Sequence, residues 1–221
     1  MRHGQASFGT DDYDRLSELG HRQSRRLGEY LRERAPGPGP CYDAVLTGTL
    51  RRHDETWQAL AEGAGLSIEP LRWPGLNEYD SDALIQAIQP TPLDKPDSPE
   101  AYRAHFRLLR DALRQWMDGV ISPRGMPSYD DFVQGITSAL DHVRRQHFQG
   151  RVLIVSSGGP ISTAVGRVLG TPPETTIDLN LRIRNSALTE FAFTPKRHML
   201  VTYNTLPHLD HPDYTDWVTY A

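Results

Sequence analysis

The first residues of the chain hold side chains that could attack a phosphorus atom. Arg2 and His3 stand next to each other, and Gly4 follows them. A neutral imidazole is a competent nucleophile near pH 7. A guanidinium beside it would bind phosphate oxygens through paired, charge-assisted hydrogen bonds. A lone histidine at a chain end is more often a solvated residue, so this interpretation needs further cations from elsewhere in the sequence.

Two later segments offer such groups. The letters TGTLRR end in Arg51 and Arg52, and either could be the second guanidinium. The letters SSGGP include Gly158 and Gly159, which allow a close backbone approach. A helix that starts after these glycines would direct its free N–H groups and the positive end of its dipole at a bound anion. The same letters also suit a simple strand-to-helix turn with an early proline. Taken with the N-terminal segment, they predict an anion site.

The elements around these segments indicate an α/β fold. Two short apolar runs, at 44–47 and 152–156, are typical of buried strands, and each is followed by a helical pattern. An amphipathic helix is predicted before the first run and ends in the letters APGPGP. The letters ALTEFAF and HMLVTYN predict two late strands that could form an antiparallel edge. We expect a three-layer α/β/α sandwich with a mostly parallel central sheet, whose ligands bind at the carboxyl ends of the strands.

Residues 80–127 interrupt this alternation of strands and helices. They contain the proline-rich and acidic letters QPTPLDKPDSPE, the helical pattern AYRAHFRLLRDALRQWM and a glycine/proline exit. A connection this long in a compact domain is usually functional or disordered. We interpret it as an inserted helical cap beside the site; a mobile surface excursion is the alternative.

Composition limits the class of protein and its partners. The 221 residues fit a single domain, 1–221, with the cap inserted in it. With 24% charged residues and a net charge of −4, the chain lacks the basic character typical of nucleic-acid or anionic-membrane binding. Cys41 is the one cysteine, and the sequence has neither a signal peptide nor a membrane-length apolar run, so we expect a cytoplasmic location. The expected partner is a small molecule, and no pattern indicates an oligomeric state.

Four of these segments, in this order, resemble the histidine phosphatase superfamily, which includes the cofactor-dependent phosphoglycerate mutases. RHGQ is similar to the family's nucleophile motif, and TGTLRRHDETWQAL to its second arginine segment. LNEYD resembles its acidic segment, and VLIVSSGGPIS its late strand and turn. With IRNSALTEF and TYNTLPHL added, the resemblance extends over nearly the whole chain. One tripeptide would be weak evidence, but four ordered segments are specific.

The resemblance implies a role for each matching residue. His3 would be the nucleophile that becomes phosphorylated, and Arg2 would bind the phosphoryl group. Arg52 would be the second phosphate-binding arginine, since it stands four residues before Thr56. Glu78 would protonate the leaving oxygen and later help to activate water against the phosphohistidine.

The late turn departs from the family's pattern. The family's strand ordinarily ends in Ser-His-Gly, and that histidine contacts the phosphoryl group opposite the nucleophile. Here the position is Ser157, and we expect Ser157 and Gly158 to bind phosphate. A hydroxyl supplies one neutral donor, and loss of a preorganised donor costs ~10²-fold or more in rate. By its place in the sequence, His208 is the residue that best suits a substitute or supporting role.

The start of the chain is a second departure. The family has a central strand before its RHG letters, whereas this sequence offers only Met1 there. A misplaced start or a truncated chain would explain the difference, because loss of a central strand leaves unpaired edges on its neighbours. The letters QASFG after the motif lack the Ser-x-Trp-Asn signature of the mutases, which favours a phosphatase.

The sequence therefore predicts a phosphatase that hydrolyses a small phosphorylated metabolite through phospho-His3, with no cofactor and no metal. The alternative is a phosphate-binding or regulatory relative that lost turnover with the second histidine; a phosphoglycerate mutase is a distant third. The letters HLDHPD around His208 and His211 could suggest a metal, but no complementary ligand cluster is recognisable. The remaining histidines are interpreted as surface or partly buried polar residues: His21, His53, His105, His142, His147 and His198.

Overall fold

The computed structural model describes residues 1–7, 14–35, 42–89, 91 and 98–220, and within these the central sheet is parallel and three-stranded. Its strands are β1 (Ala44–Thr47), β2 (Leu71–Arg72) and β3 (Val152–Val155), in the order β2-β1-β3. β1 pairs with β3 over its full length. The predicted parallel sheet is confirmed, and β2 was not predicted from the sequence.

Helices surround this sheet, and a hairpin follows them. The remaining elements are α1 (Glu18–Glu33), α2 (Arg51–Ala64), α3 (Ser81–Ile88), α4 (Pro99–Met117), α5 (Tyr129–Gln146), α6 (Gly158–Leu169), α7 (Pro173–Arg182), β4 (Leu188–Phe193) and β5 (His198–Thr205). Short 3-10 turns at 74–76, 207–209 and 212–217 complete the described elements. No helix in the described part of the chain combines the length and apolar character needed to cross a membrane.

Side chains of the sheet alternate between two apolar clusters, which gives three layers. Val45 packs on one side with Leu27 of α1 and Leu60 of α2. Its neighbour Leu46 packs on the other side with Val143 of α5. Because successive residues of a strand point to opposite faces, these two contacts place helices on both sides of the sheet. The mixed α/β architecture expected from the sequence is therefore present.

The first residues of the chain lie beside the end of β3. Arg2 forms a parallel bridge with Ser156, and the amide of His3 donates to the carbonyl of Ser156 at 2.9 Å. On the other side, the amide of Arg2 donates to the carbonyl of Ala187 at 3.0 Å. The motif that carries His3 is thereby placed at the carboxyl end of the parallel sheet.

The late hairpin was predicted as a possible antiparallel edge of the main sheet, and here the structure differs. β4 and β5 pair with each other in a separate two-stranded sheet. The residues around Arg2 stand between the end of β3 and Ala187, so β4 does not pair with β3 in the described ladders. A cavity of about 660 Å³ is lined by residues of both β3 and β4.

The described part of segment 80–127 is helical and packed. α3 and α4 contribute Leu84, Leu113 and Trp116 to an apolar cluster, which Phe132 of α5 and Ile177 of α7 complete. Residues 92–97, within the proline-rich letters, lie outside the described residues, as do Cys41 and the cluster at 36–40. The role of this segment as a cap over a substrate stays a prediction.

Candidate active site

The backbone and ring of His3 are held in one orientation. His3 is buried, its amide donates to Ser156, and its carbonyl accepts from the amide of Ser186 at 3.0 Å. Its Nδ1 lies 2.7 Å from the carbonyl oxygen of Gly4. Because a carbonyl oxygen only accepts, Nδ1 must carry the hydrogen, and Nε2 keeps its lone pair. The free lone pair of the neutral ring therefore lies on Nε2.

Gly4 and Thr56 explain two features of the sequence motifs. The amide of Gly4 donates to Oγ1 of Thr56 at 3.1 Å. A Cβ at Gly4 would lie 2.4 Å from the carbonyl oxygen of Gly20 in α1, so a larger residue cannot pass the helix here. Thr56 stands one helical turn after Arg52, and one turn of α2 therefore holds the His3 loop while the preceding turn presents a guanidinium.

The structure separates the two arginines that the sequence left as alternatives. Arg51 is exposed, and its Nε donates to Glu55 at 2.7 Å. Arg52 is buried, and its Nη1 donates to Asp14 at 2.7 Å. Asp14 also accepts from the amide of Arg51, which fixes the start of α2. Arg52 is thus the arginine that α2 turns inward.

Arg2 and Arg52 together set the protonation state of His3. Arg2 is also buried, and its Nη1 donates to the carbonyl of Ile183 at 2.5 Å and to that of Tyr220. Burial, followed by the positive charges of Arg2 and Arg52, holds the pKa of His3 well below its usual range. The ring is therefore neutral at neutral pH, which is the form that can attack an electrophile.

Glu78 is held at the start of α6. The amide of Gly159 donates to both carboxylate oxygens of Glu78, at 3.0 and 3.2 Å. A Cβ at Gly159 would lie 2.2 Å from Oε1, so glycine is required for this approach. Burial raises the pKa of Glu78, although the Gly159 amide and the charges of Arg52 and Arg2 oppose the shift. A carboxyl group that keeps its proton to higher pH is suited to general acid catalysis.

Ser157 and Gly158 lie at the same helix start, fully enclosed. Ser157 precedes the first residue of α6, yet its hydroxyl does not cap the helix. Its Oγ instead lies 2.7 Å from Nε2 of His53. Gly158 is packed against α7, where a Cβ would come within 2.8 Å of Oδ1 of Asn180. The sequence prediction that Ser157 and Gly158 bind phosphate stays a prediction.

The structure contradicts the sequence prediction for His53. It was interpreted as an ordinary surface or partly buried residue, but its side chain is fully buried, with its ring centre 5.8 Å from that of His3. Burial, then the charges of Arg52 and of the Met1 ammonium group, lowers the pKa of His53 to about 3. The sequence shows a histidine directly after Arg52, but no sequence pattern indicates that its ring is buried beside His3.

His208 lies behind the site. Its Nε2 is 2.9 Å from the hydroxyl of Ser186, whose amide donates to the His3 carbonyl. Burial, then the charge of Arg26, lowers the pKa of His208 to about 3. His208 is therefore connected to His3 through a serine and the backbone.

No set of three or more His, Cys, Asp or Glu side chains within the described ranges is arranged to hold a metal ion. The cations of the site are guanidinium groups. Arg2 and Arg52 can supply positive charge to the oxygens of a phosphoryl group on His3, which is the role that metal ions serve in other phosphoryl-transfer sites.

Comparison with known proteins gives a family match and a shared fold. The family model described as histidine phosphatase superfamily (branch 1) matches residues 1–206. No curated protein is similar enough to this chain to count as a relative. Among solved structures, the phosphoserine phosphatase mutant of Entamoeba histolytica in complex with phosphoserine is 18% identical, with a TM-score of 0.64 over 94% of this chain and 96% of that chain.

Two further solved structures share the fold. The alpha-ribazole phosphatase of Shigella flexneri is 18% identical, with a TM-score of 0.61 over 93% of this chain and 95% of that one. The mycobacterial glucosyl-3-phosphoglycerate phosphatase in complex with inorganic phosphate is 21% identical, with a TM-score of 0.63 over 92% of this chain and 94% of that one. At these identities the likeness shows a common architecture.

Proposed function

The chain belongs to the histidine phosphatase superfamily, and from this premise we propose that it hydrolyses a small phosphomonoester through a phosphohistidine on His3, without a metal ion. The proposal is supported by its structural neighbours, which are phosphatases named for phosphoserine, alpha-ribazole and glucosyl-3-phosphoglycerate. Each of these names describes a small phosphorylated compound or the product of its hydrolysis.

One observation carries the proposal: the ring of His3 is buried, neutral and oriented. The Gly4 carbonyl binds the Nδ1 hydrogen at 2.7 Å, so the lone pair stays on Nε2. Burial and the charges of the two inward arginines keep a proton off this nitrogen, and the arginines would attract the phosphoryl oxygens to it. A histidine with a merely structural role would need neither the two cations nor a fixed tautomer.

In the first half of the reaction, Nε2 of His3 attacks the phosphorus atom and the bond from phosphorus to the leaving oxygen breaks. The electron pair of that bond goes to the oxygen, and Glu78 donates the proton that the oxygen then binds. The products of this step are a free alcohol, a carboxylate on Glu78 and phospho-His3. Arg2 and Arg52 stabilise the negative charge on the phosphoryl oxygens throughout.

In the second half, water attacks the phosphorus atom of phospho-His3, and the carboxylate of Glu78 accepts the proton that water loses. The bond between phosphorus and Nε2 breaks, its electron pair returns to the ring, and inorganic phosphate leaves. Glu78 is protonated again and His3 is neutral, so the site is ready for the next substrate. We propose that segment 80–127 selects the substrate, since it reaches the site through Tyr79, whose ring packs against Trp116 of α4.

A phosphate-binding protein with little turnover is the second candidate. The observation that favours it is Ser157, which stands where the family has a histidine that contacts the phosphoryl group. Such a protein would keep Arg2, His3 and Arg52 as an anion site. It would bind phosphate or vanadate and show no hydrolysis above background.

The experiment is a hydrolysis assay in EDTA with p-nitrophenyl phosphate and a panel of phosphorylated metabolites. We expect turnover that survives EDTA and falls to background in His3→Ala. Glu78→Gln should slow release of the alcohol, because the leaving oxygen loses its proton donor. With ³²P-labelled substrate, the wild-type protein should carry an acid-labile, alkali-stable label that His3→Ala lacks.

The matched control is His211→Ala, which removes an exposed histidine far along the chain. It should retain the wild-type rate. Hydrolysis that persists in His3→Ala, or that depends on an added metal ion, would contradict the proposed mechanism. Tight vanadate binding without hydrolysis would favour the phosphate-binding alternative.

A further inference from the structure

His53 and Ser157 form a buried pair at the N-terminus of α6, and the mechanism above does not use this pair. Both side chains are fully buried, and Nε2 of His53 lies 2.7 Å from Oγ of Ser157. The family places an imidazole on the residue at position 157, and this chain has a hydroxyl there. The imidazole is nevertheless present, because α2 brings one to the same place from the residue after Arg52.

The reach of the pair matches that of the missing side chain. Oγ followed by a hydrogen bond of 2.7 Å extends about as far from the Cβ of Ser157 as the outer ring nitrogen of a histidine would. The ring centre of His53 is 5.8 Å from that of His3. A phosphoryl group on Nε2 of His3 could therefore place an oxygen within hydrogen-bond distance, about 2.8 Å, of the His53 edge that faces Ser157.

The surroundings of His53 are shaped to admit its ring. A Cβ at Gly48 would lie 2.2 Å from Nδ1 of His53, so only glycine at position 48 leaves room for the imidazole. Nδ1 has no hydrogen-bond partner among the described residues, although the ring is fully buried. The space that Gly48 leaves is therefore what allows the ring of His53 to lie beside Ser157.

We propose that His53 is a second catalytic histidine, which donates from Nε2 to a phosphoryl oxygen on the side opposite His3, with the Ser157 hydroxyl as a neighbouring donor. This inference rests on the proposed function, since it assigns a further residue to the same reaction. The Nε2–H of His53 lies in the plane of its ring and is shared between Oγ of Ser157 and a phosphoryl oxygen, and the Ser157 hydroxyl rotates to donate to the phosphoryl group as well. In this chain α2 supplies the imidazole that the family's late turn supplies, and Gly48 leaves room for it.

His53 acts as a neutral donor. Its burial beside Arg52 keeps a second proton off the ring, so the positive charge at the phosphoryl group comes from Arg2 and Arg52. A preorganised neutral donor in a water-excluded site still stabilises the charge that develops on the phosphoryl oxygens. The serine at position 157 is then no evidence that the site is inactive.

The first test measures the response of the wild-type protein, and variants serve only to assign its signals. Histidine ring nitrogens are observed by ¹⁵N NMR while inorganic phosphate is added, with assignments from His3→Gln and His53→Gln. We expect the ring nitrogens of both histidines to shift with the same phosphate dependence, Nε2 of His53 more than its Nδ1. Phosphate that shifts His3 and leaves His53 unmoved would overturn the assignment.

The second test removes the imidazole at position 53 and places one at position 157. We expect His53→Ala to lower kcat on p-nitrophenyl phosphate by ~10²-fold and to weaken orthovanadate binding. Ser157→His alone should lower activity, because the ring of His53 already fills the adjoining space. The double variant His53→Ala with Ser157→His should recover at least tenfold over His53→Ala, and Ser157→Ala, which keeps the ring, should lose less than His53→Ala.

The outcomes separate this inference from the proposed function. If the wild-type protein does not hydrolyse any substrate but His53→Ala weakens vanadate binding, the phosphatase proposal fails and the phosphoryl contact of His53 stands. If hydrolysis requires His3 but a folded His53→Ala retains wild-type kcat and vanadate affinity, the inference fails alone. Higher activity in Ser157→His alone would also overturn it, since the position would then have been lacking its histidine.

Discussion

Among the described residues, two buried pairs of a histidine and a serine have nearly the same local chemistry. In one, Nε2 of His53 is 2.7 Å from the hydroxyl of Ser157; in the other, Nε2 of His208 is 2.9 Å from that of Ser186. Each histidine leaves Nδ1 without a hydrogen-bond partner among the described residues. Burial lowers the pKa of each ring to about 3.

The surroundings of the two pairs differ. His53 adjoins Arg52 and stands ring to ring with His3, whereas His208 lies near Arg26 and reaches His3 through Ser186. Burial, hydrogen bonding and a lowered pKa are therefore insufficient to identify a catalytic histidine. The charged groups and the reacting atom that a ring faces decide its role.

The sharpest contrast should appear in turnover when each histidine is replaced by asparagine. Asparagine cannot reach the hydroxyl that Nε2 contacts, and we expect both variants to lose about 1–3 kcal/mol of unfolding free energy. His53→Asn should also lose ~10²-fold in kcat, since a phosphoryl donor is removed. His208→Asn should lose less than tenfold, because His208 supports only the Ser186 contact to the His3 backbone.

Urea unfolding and steady-state kinetics on the same preparations test this contrast. The kinetic loss of each variant is compared at a temperature where both remain folded. Equal losses of kcat in the two variants would break the distinction between the pairs.

A smaller effect is expected from Gly48→Ala. The added Cβ would lie 2.2 Å from Nδ1 of His53 and displace the ring, so kcat should fall about tenfold, part of the loss expected for removing the donor. The matched control is Gly63→Ala near the end of α2, whose Cβ would lie 2.2 Å from the carbonyl oxygen of Arg25 in α1. Gly63→Ala should lower the melting temperature and leave kcat of the folded protein unchanged. A Gly48→Ala enzyme with wild-type kcat would mean that the ring position does not matter.

The smallest effect concerns acid stability, in which the two pairs should behave alike. An unfolded histidine binds a proton near pH 6.5, whereas His53 and His208 in the folded protein have pKa values of about 3. The unfolded state therefore binds more protons below pH 6.5. Between pH 6.5 and about pH 3, each ring should lower the unfolding free energy by about 1.4 kcal/mol per pH unit, and above pH 6.5 it should have no effect.

Urea unfolding at pH 5.5 and 7.5 measures this loss. Each asparagine variant should lose less stability between the two pH values than the wild-type protein does, by about 1.4 kcal/mol. A loss unchanged by either replacement would show that other groups cause the acid sensitivity. If the two variants show the same pH dependence of the unfolding free energy but different losses of kcat, the two pairs differ in the groups that surround them.

Many of the strands and helices could be predicted from the sequence because local patterns of apolar and polar residues indicate them. The apolar runs of β1 and β3, the helices that follow them and the late hairpin were predicted close to their observed bounds. The two-residue β2 has no apolar run of its own; it is a strand because Leu71 pairs with Leu46 of β1. The attachment of the hairpin was wrong, because the residues around Arg2 stand between β3 and Ala187.

For the site, the sequence by itself determined the family's ordered motifs and hence His3, Arg2, Arg52 and Glu78 as candidates. These motifs are local, since each joins a residue type to a strand end or a helix start. That local information also showed that position 157 carries a hydroxyl. It contained no indication of whether any other imidazole comes near.

Only the tertiary structure showed that His53 is the histidine beside position 157. His53 and Ser157 are 104 residues apart and meet because β1 and β3 are neighbours in the sheet, so that α2 and α6 begin at the same edge. His208, the candidate chosen from the sequence, is turned toward Ser186 by the 3-10 turn at 207–209. Contacts between distant residues depend on strand order and helix orientation, and a one-dimensional pattern does not encode either for a single side chain.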